Sequence, residues 1–357
     1  MKDIIVSVPS YQPGNFEGMY LEQRNTAVAE HLAALLGGQV CGLQDSAREQ
    51  YHVPHAALIR EESQEKGITS ENDLFGGVVE IASHRDKAIL HPTVKDCERK
   101  NEWHSSEFAK LVSSAVLPGF SVFSSADSQK AFQELEDQGY TVRCKDPTRD
   151  GSGGQWIIKD SGHLEQIIAG LPADQISEQG IVLEPNLFDP QTLSVGQIYL
   201  DGKFYSYFGH QESTTSPKGN STYGGTTLTM VRGTFETLAT TSSEPIIRRA
   251  VQQAKTVYDA YSIYEPIISR ANFDVVRGEA KNNQILSGVV DQSLRIGGAT
   301  PAEVLAIEAL KAQPSAQQVT SRVTIRWNPE STPVGPNEII FFDHPRKRDL
   351  ATVLEIK

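Results

Sequence analysis

Two short stretches decide the fold: Asn272-Phe273-Asp274-Val275-Val276 and Gly288-Val289-Val290-Asp291-Gln292-Ser293-Leu294-Arg295-Ile296-Gly297-Gly298. Each sets an aspartate inside an apolar, β-branched run. The polar loop 278–284 between them suggests antiparallel strands over 273–277 and 285–292. In a strand, Asp291, Ser293 and Arg295 share one face. If the two strands pair, Asp274 and Asp291 converge. Two hard carboxylates suit Mg²⁺ (or Mn²⁺), which keeps few protein ligands and takes phosphate oxygens for the rest. Arg295 is then placed to meet a transferring phosphoryl group.

Upstream, Arg143-Cys144-Lys145 reads as a strand end. It opens into a loop that closes on Gly151-Ser152-Gly153-Gly154 before the next strand at 155–159. Glycines let backbone N–H groups approach phosphate oxygens, and Lys145 adds a mobile charge. No Gly-Lys-Ser/Thr opens a helix, so the loop is not of the Walker A kind. The segment Glu184-Pro185-Asn186-Leu187 follows an apolar strand and can join two units while offering backbone groups to an adenine edge. Pro185 cannot donate, which leaves a neighbour such as Leu187.

Around these stretches the chain divides into three. Residues 1–115 alternate strand and helix patterns, with a strand at 3–9, a helix at 20–36 stopped by Gly37-Gly38, and strands near 39–43 and 73–79. A small open α/β domain fits. No Gly-x-Gly-x-x-Gly follows the first strand, which removes a dinucleotide-binding reading. Residues 116–186 read strand, helix, strand, strand, helix, strand, an α+β unit with Ser125 and Ser161 as expected helix caps. Residues 187–357 form an α+β core. Asp201-Gly202 marks a hairpin, helices are expected at 244–263 and 301–312 with Thr300 as a cap, and late strands at 322–327 and 338–342.

Bulk properties set limits. The 357 residues exceed one ordinary core. A net charge of -12 disfavours general nucleic-acid binding. Three scattered cysteines make a disulfide framework or a cysteine zinc site an unsuitable reading. Neither a signal-peptide pattern nor a membrane-length apolar run is visible, so the expectation is a cytoplasmic protein without membrane contact.

The order of parts resembles the ATP-grasp superfamily, with its pre-domain, its lid carrying a lysine and glycine-rich loop, and its core carrying metal ligands. Asp291–Arg295 is similar to the superfamily's Glu-x-Asn-x-Arg signature. The resemblance implies Asp274, Asp291 and Ser293 at the metal, Arg295 and Lys145 at the reacting phosphate, and the 184–187 segment around adenine. A second lysine is expected, with Lys87 first and Lys95 and Lys100 behind it. Ser293 stands where asparagine is usual and Asp291 where glutamate is. Thr192 stands where a ribose-binding acid is expected, with Asp189 nearby as a substitute. Stretches 73–79, 194–197, 223–225 and 291–299 look like a bacterial family of uncharacterised ATP-grasp-like proteins.

The implied activity is an ATP-dependent ligase joining a small-molecule carboxylate to an amine or thiol through an acyl phosphate. Arg232, Arg270, His210 and Gln211 are candidates for holding the acceptor. A non-catalytic ATP-binding sensor or scaffold, and a small-molecule kinase, are the alternatives. A homodimer is left open.

Overall fold

Leu193 and Val195 belong to one apolar cluster and Ile198 and Leu200 to another. The strand Phe188–Leu200 is therefore buried on both faces, as a central strand must be. The computed structural model describes residues 2–7, 14–41, 49–149, 153–172, 174–329 and 332–357. In it this strand lies third in an eight-stranded antiparallel sheet. The order is Ile285–Ser293, Arg270–Glu279, Phe188–Leu200, Lys203–Thr215, Ser221–Arg232, Gln318–Trp327, Lys347–Ile356 and Ile339–His344. The hairpin at Asp201-Gly202 has φ of 53° and 73°, the left-handed pair that a two-residue turn requires. Helix Pro245–Ala260 buries Ile247, Val251, Ala254 and Val257 on the face of the sheet shared with Phe273 and Val275. Helix Thr300–Ala312 packs on the opposite face together with helix Phe16–Leu36.

The N-terminal sheet is parallel, with Asp3–Val6 between Gln39–Cys41 and Gln50–Val53. The strand Gln50–Val53 is an addition to the expected set. In a separate small sheet, Gly77–Val79 pairs with Leu58–Ile59 and with Ile267–Ile268 of the core. Backbone hydrogen bonds thus tie the first unit to the third.

The lid is a four-stranded antiparallel sheet in the order Phe120–Val122, Ile181–Pro185, Val142–Lys145, Gln155–Ile157. Helices Ser125–Asp137 and Ser161–Ala169 accompany it, and its core includes Val142, Leu183, Phe132 and Leu164. The caps sit one residue earlier than expected. Ser124 accepts from the Asp127 N–H (3.1 Å) and Asp160 from the His163 N–H (2.8 Å). A cap needs extended backbone, and the residues expected to cap already have helical geometry. Thr300 likewise lies inside its helix, where its hydroxyl accepts from Gly297 N–H (3.0 Å). The strand Lys347–Ile356, central to the far half of the large sheet, was not among the expected elements. Cys97 and Cys144 are free thiols, the first half-buried and the second buried.

Candidate active site

Asp274 and Asp291 are register partners on adjacent antiparallel strands. Cross-strand partners project to the same face, so the two carboxylates meet. A β-bulge produces this. Val275 pairs with Val289, and Asp274 pairs with Asp291, so Val290 is the extra residue. In an unbroken strand, Val289 and Asp291 would share a face, and Val289 points into the core. The bulge reverses the parity and turns Asp291 to the cleft.

Asp274 is held by Gln211 Nε2 (2.8 Å) and Asn272 Nδ2 (3.1 Å), both donating to Oδ1. Asp291 Oδ1 accepts from the Gln292 N–H (2.9 Å), and its Oδ2 is 3.1 Å from Lys87 Nζ. Burial, then the neighbouring Asp291 carboxylate, pushes the Asp274 carboxyl up to about 6. A like-charge pair of this kind is poised for a cation. Among the described residues no group of three His, Cys, Asp or Glu side chains converges. Two carboxylates facing a cleft fit Mg²⁺ bound together with phosphate oxygens and water.

Above the pair lies a cleft of about 270 Å³ between lid and large sheet. Lys87 and Lys145 line it, both almost fully buried. Lys145 forms an ion pair with Glu184 and donates to the Val290 carbonyl (3.4 Å). Burial alone would raise the Glu184 carboxyl; Lys145, then His91, outweigh it and hold it at about 2. Lys87 also donates to the Arg149 carbonyl in the lid hairpin (3.0 Å). Each lysine therefore links the lid to the strand that carries Asp291.

The lid hairpin is tight. The Asp146 side chain accepts from Thr148 N–H (2.9 Å) and hydroxyl (2.6 Å), and the Asp146 N–H donates to the Gly154 carbonyl (2.7 Å). Gly154 has a φ of 64°, and a Cβ there would fall 2.7 Å from Arg149 Cγ. Gly153 precedes it in the same turn. Gly151 and Ser152 lie outside the described residues.

Glu184, Pro185 and Leu187 line the cleft, while Asn186 is turned to Arg143, which donates to its Oδ1 (2.6 Å). The Asn186 N–H is taken by the Thr141 carbonyl (2.7 Å). Thr192 lines the cleft; Asp189 is exposed, at a φ of 41°. Further lining comes from Glu212, Ser213 and Thr222, which the sequence did not single out because hydroxyls and acids at the end of a hairpin carry no motif.

Ser293 and Arg295 sit across the aspartates from this cleft. Ser293 pairs with Asn272, and its hydroxyl donates to the Arg295 carbonyl (3.4 Å). Arg295 lies beyond the strand end and donates to the Ile296 carbonyl (2.8 Å). Arg270 is fully buried under this corner. It pairs with Glu303 (2.6 Å) and donates to the Ser293 carbonyl (3.2 Å). Arg232 caps helix Thr300–Ala312, donating to the carbonyls of Leu310, Gln313 and Ala316. His210 is exposed, and Gln211 reaches Ser194 (2.9 Å) as well as Asp274. Lys95 and Lys100 do not line the cleft.

The architecture matches solved ATP-grasp structures over nearly its whole length. N5-carboxyaminoimidazole synthetase from Staphylococcus aureus is 14% identical with a TM-score of 0.54, covering 99% of this chain and 93% of that one. Biotin carboxylase from Campylobacter jejuni, solved as a β,γ-ATP complex, is 12% identical with a TM-score of 0.57, covering 99% and 87%. D-alanyl-alanine synthetase A from Vibrio cholerae is 12% identical with a TM-score of 0.51, covering 84% and 90%. The chain has the ATP-grasp fold. Residues 16–352 match the family described as "Protein of unknown function (DUF3182)", and the chain belongs to that family. A search of curated proteins gave no match. No helix among the described residues is long and apolar enough to cross a membrane.

Proposed function

We propose that this protein is an ATP-dependent ligase that joins a small-molecule carboxylate to an amine or thiol. The observation that carries the reading is the juxtaposition of the Asp274–Asp291 pair with two buried lysines in one cleft. A ligase of this kind must hold a triphosphate and present its γ-phosphate to a carboxylate.

Lys145 and Lys87 would bind phosphate oxygens, exchanging part of their contact with Glu184 and Asp291 for the nucleotide. The 184–187 segment would hold adenine, with the Leu187 backbone as donor, and Thr192 lies where ribose would rest. Mg²⁺ (or Mn²⁺) held by Asp274 and Asp291 would supply charge neutralisation to the phosphates when bound. The acceptor carboxylate oxygen attacks the γ-phosphorus, the bond to the β,γ-bridging oxygen breaks, and ADP leaves. Arg295 and Lys145 would stabilise the charge on the transferred group. An amine or thiol then attacks the acyl phosphate carbon, inorganic phosphate departs, and the nucleophile's proton is released. The lid hairpin, tied down through Lys87 and Lys145, would shield the acyl phosphate from water.

A second reading, an ATP-binding module without turnover, has one observation in its favour. The Ser293 hydroxyl is engaged by Arg270 and the Arg295 carbonyl and lies outside the nucleotide cleft lining. Thermal unfolding with Mg-ATP separates the nucleotide-binding readings from those without a nucleotide, since a ligand at a hundred times its Kd stabilises by about 2.7 kcal/mol. Absence of any shift at millimolar Mg-ATP would remove both. Phosphate release on adding pooled carboxylates and amines then divides ligase from module.

A further inference from the structure

A second cleft, of about 320 Å³, opens on the other side of the aspartate pair. Asp274, Asp291, Gln211 and Tyr223 line both clefts, so the two meet at the carboxylates. Its volume suits a small organic molecule. Part of its wall is built by segments far apart in sequence: Tyr20 and Arg24 from the first long helix, Trp327 from one strand of the large sheet, and Lys347 from the next.

The charges on this wall do not balance. Arg24 is only 6% exposed, yet its hydrogen bonds go to neutral oxygens. Its Nε (3.3 Å) and Nη2 (3.1 Å) donate to Asn25 Oδ1, and its Nη1 (3.0 Å) donates to the Tyr20 hydroxyl. Lys347 converges on the same ring: its Nζ is 3.4 Å from the Tyr20 centroid, and the Arg24 Cζ is 4.9 Å from it. One carboxylate is near both. Asp349 Oδ2 accepts from the Tyr20 hydroxyl (2.7 Å), while Oδ1, 4.0 Å from Lys347, has no hydrogen-bond partner. Burial pushes the Asp349 carboxyl up and the Lys347 ammonium down, which marks the cluster as poorly compensated. Glu17, the remaining acid of this wall, is exposed. Two buried cations that share one buried carboxylate are costly unless a bound anion supplies the missing charge.

We propose that Arg24 and Lys347 form an anion subsite in this cleft, and that the ligase substrate is at least dianionic. One carboxylate reaches the aspartate pair for activation; a second carboxylate or a phosphate lies with Arg24 and Lys347 beside Tyr20 and Trp327. The inference rests on the ligase reading above and narrows its substrate to compact polyanions.

The test is isothermal titration of the full chain, with and without Mg-ADP, using paired probes. Succinate against butyrate reports a second carboxylate, and 3-phosphoglycerate against glycerate reports a phosphate. One dianion is expected to bind about tenfold or more tighter than its monoanionic partner, the strength of a charge-assisted contact. R24Q and K347M should each abolish that preference while Mg-ADP affinity stays within about twofold. Equal binding within both probe pairs by the native chain overturns the subsite, even if neither variant folds. Retention of the preference in both variants, as expected if the two cations merely staple helix to sheet, overturns it too. Mg-ADP binding without a dianion preference sinks the subsite alone. No Mg-ADP binding sinks the ligase reading and the acceptor role with it.

Discussion

Asp274 and Asp291 stand opposite one another across adjacent strands only because Val290 is bulged out of the ladder between them. An extra residue in one strand changes which face every later side chain takes, so a single backbone irregularity assembles the carboxylate pair.

Deleting Val290 should remove the bulge and still leave Asp291 opposite Asp274 on the cleft face, because Asp291 then follows Val289 directly and alternates away from the core. The deletion variant is expected to keep its thermal shift with Mg-ATP, while circular dichroism still reports the large sheet. Loss of the shift in a folded variant would show that the parity of the two strands is not what brings Asp291 to Asp274.

Asp291→Asn keeps the shape and removes the charge. Loss of a preorganised charge at a phosphoryl-transfer site costs on the order of 100-fold or more in rate. Phosphate release should fall by that factor with little change in thermal unfolding. Full turnover in this variant would exclude Asp291 from the reaction.

The Asp274 carboxyl, raised to about 6 by burial and by Asp291, makes a pH prediction with a definite sign. The native state binds this proton more tightly than the unfolded chain does. The group's stabilising contribution is therefore complete below the ordinary value of 3.8 and is lost as pH rises through about 6. Cation binding runs the other way, because the proton must leave first. Mg²⁺-dependent ADP affinity should weaken as pH falls below about 6. Asp274→Asn should raise metal-free stability at pH 8 and flatten its pH dependence relative to the native chain. A variant with the same slope would show that Asp274 does not titrate there.

Glu184 and Lys145 are a nearly inaccessible ion pair at the root of the lid. Breaking such a pair from one side leaves an uncompensated charge, at a cost of about 3–5 kcal/mol. Glu184→Gln should lower urea stability by an amount in that range. Glu184 is depressed to about 2, so its stabilisation is present above the ordinary value of 4.5 and is lost as pH falls through about 2. A loss under about 1 kcal/mol would show that solvent reaches Lys145 freely.

Much of this molecule was legible in its residues. Apolar runs interrupted by Asp274 and Asp291 mark strands that carry charge for a reason other than packing, and Asp201-Gly202 marks its hairpin. The expected division into 1–115, 116–186 and 187–357 rests on where alternating patterns change. The caps of two lid helices fall one residue before the expected ones, because adjacent Ser124-Ser125 and Asp160-Ser161 each offer two capping side chains. The strands Gln50–Val53 and Lys347–Ile356 were not foreseen: Tyr51-His52 and Lys347-Arg348-Asp349 look polar until neighbours cover them. Lys87 carries no motif, and its place beside Asp291 depends on a short helical turn docking under the lid.

By itself the sequence determined which chemistry is available: two acids in apolar strands, a lysine ahead of a glycine-rich loop, and an apolar strand running into Glu184. These are local properties, set by side-chain type and periodicity. The tertiary structure alone decided the Val290 bulge, the bridging of lid to core by Lys87 and Lys145, and the meeting of Arg24 with Lys347. Residues more than three hundred positions apart become neighbours only when a sheet closes its register and a helix is buried against it. No local pattern encodes that contact.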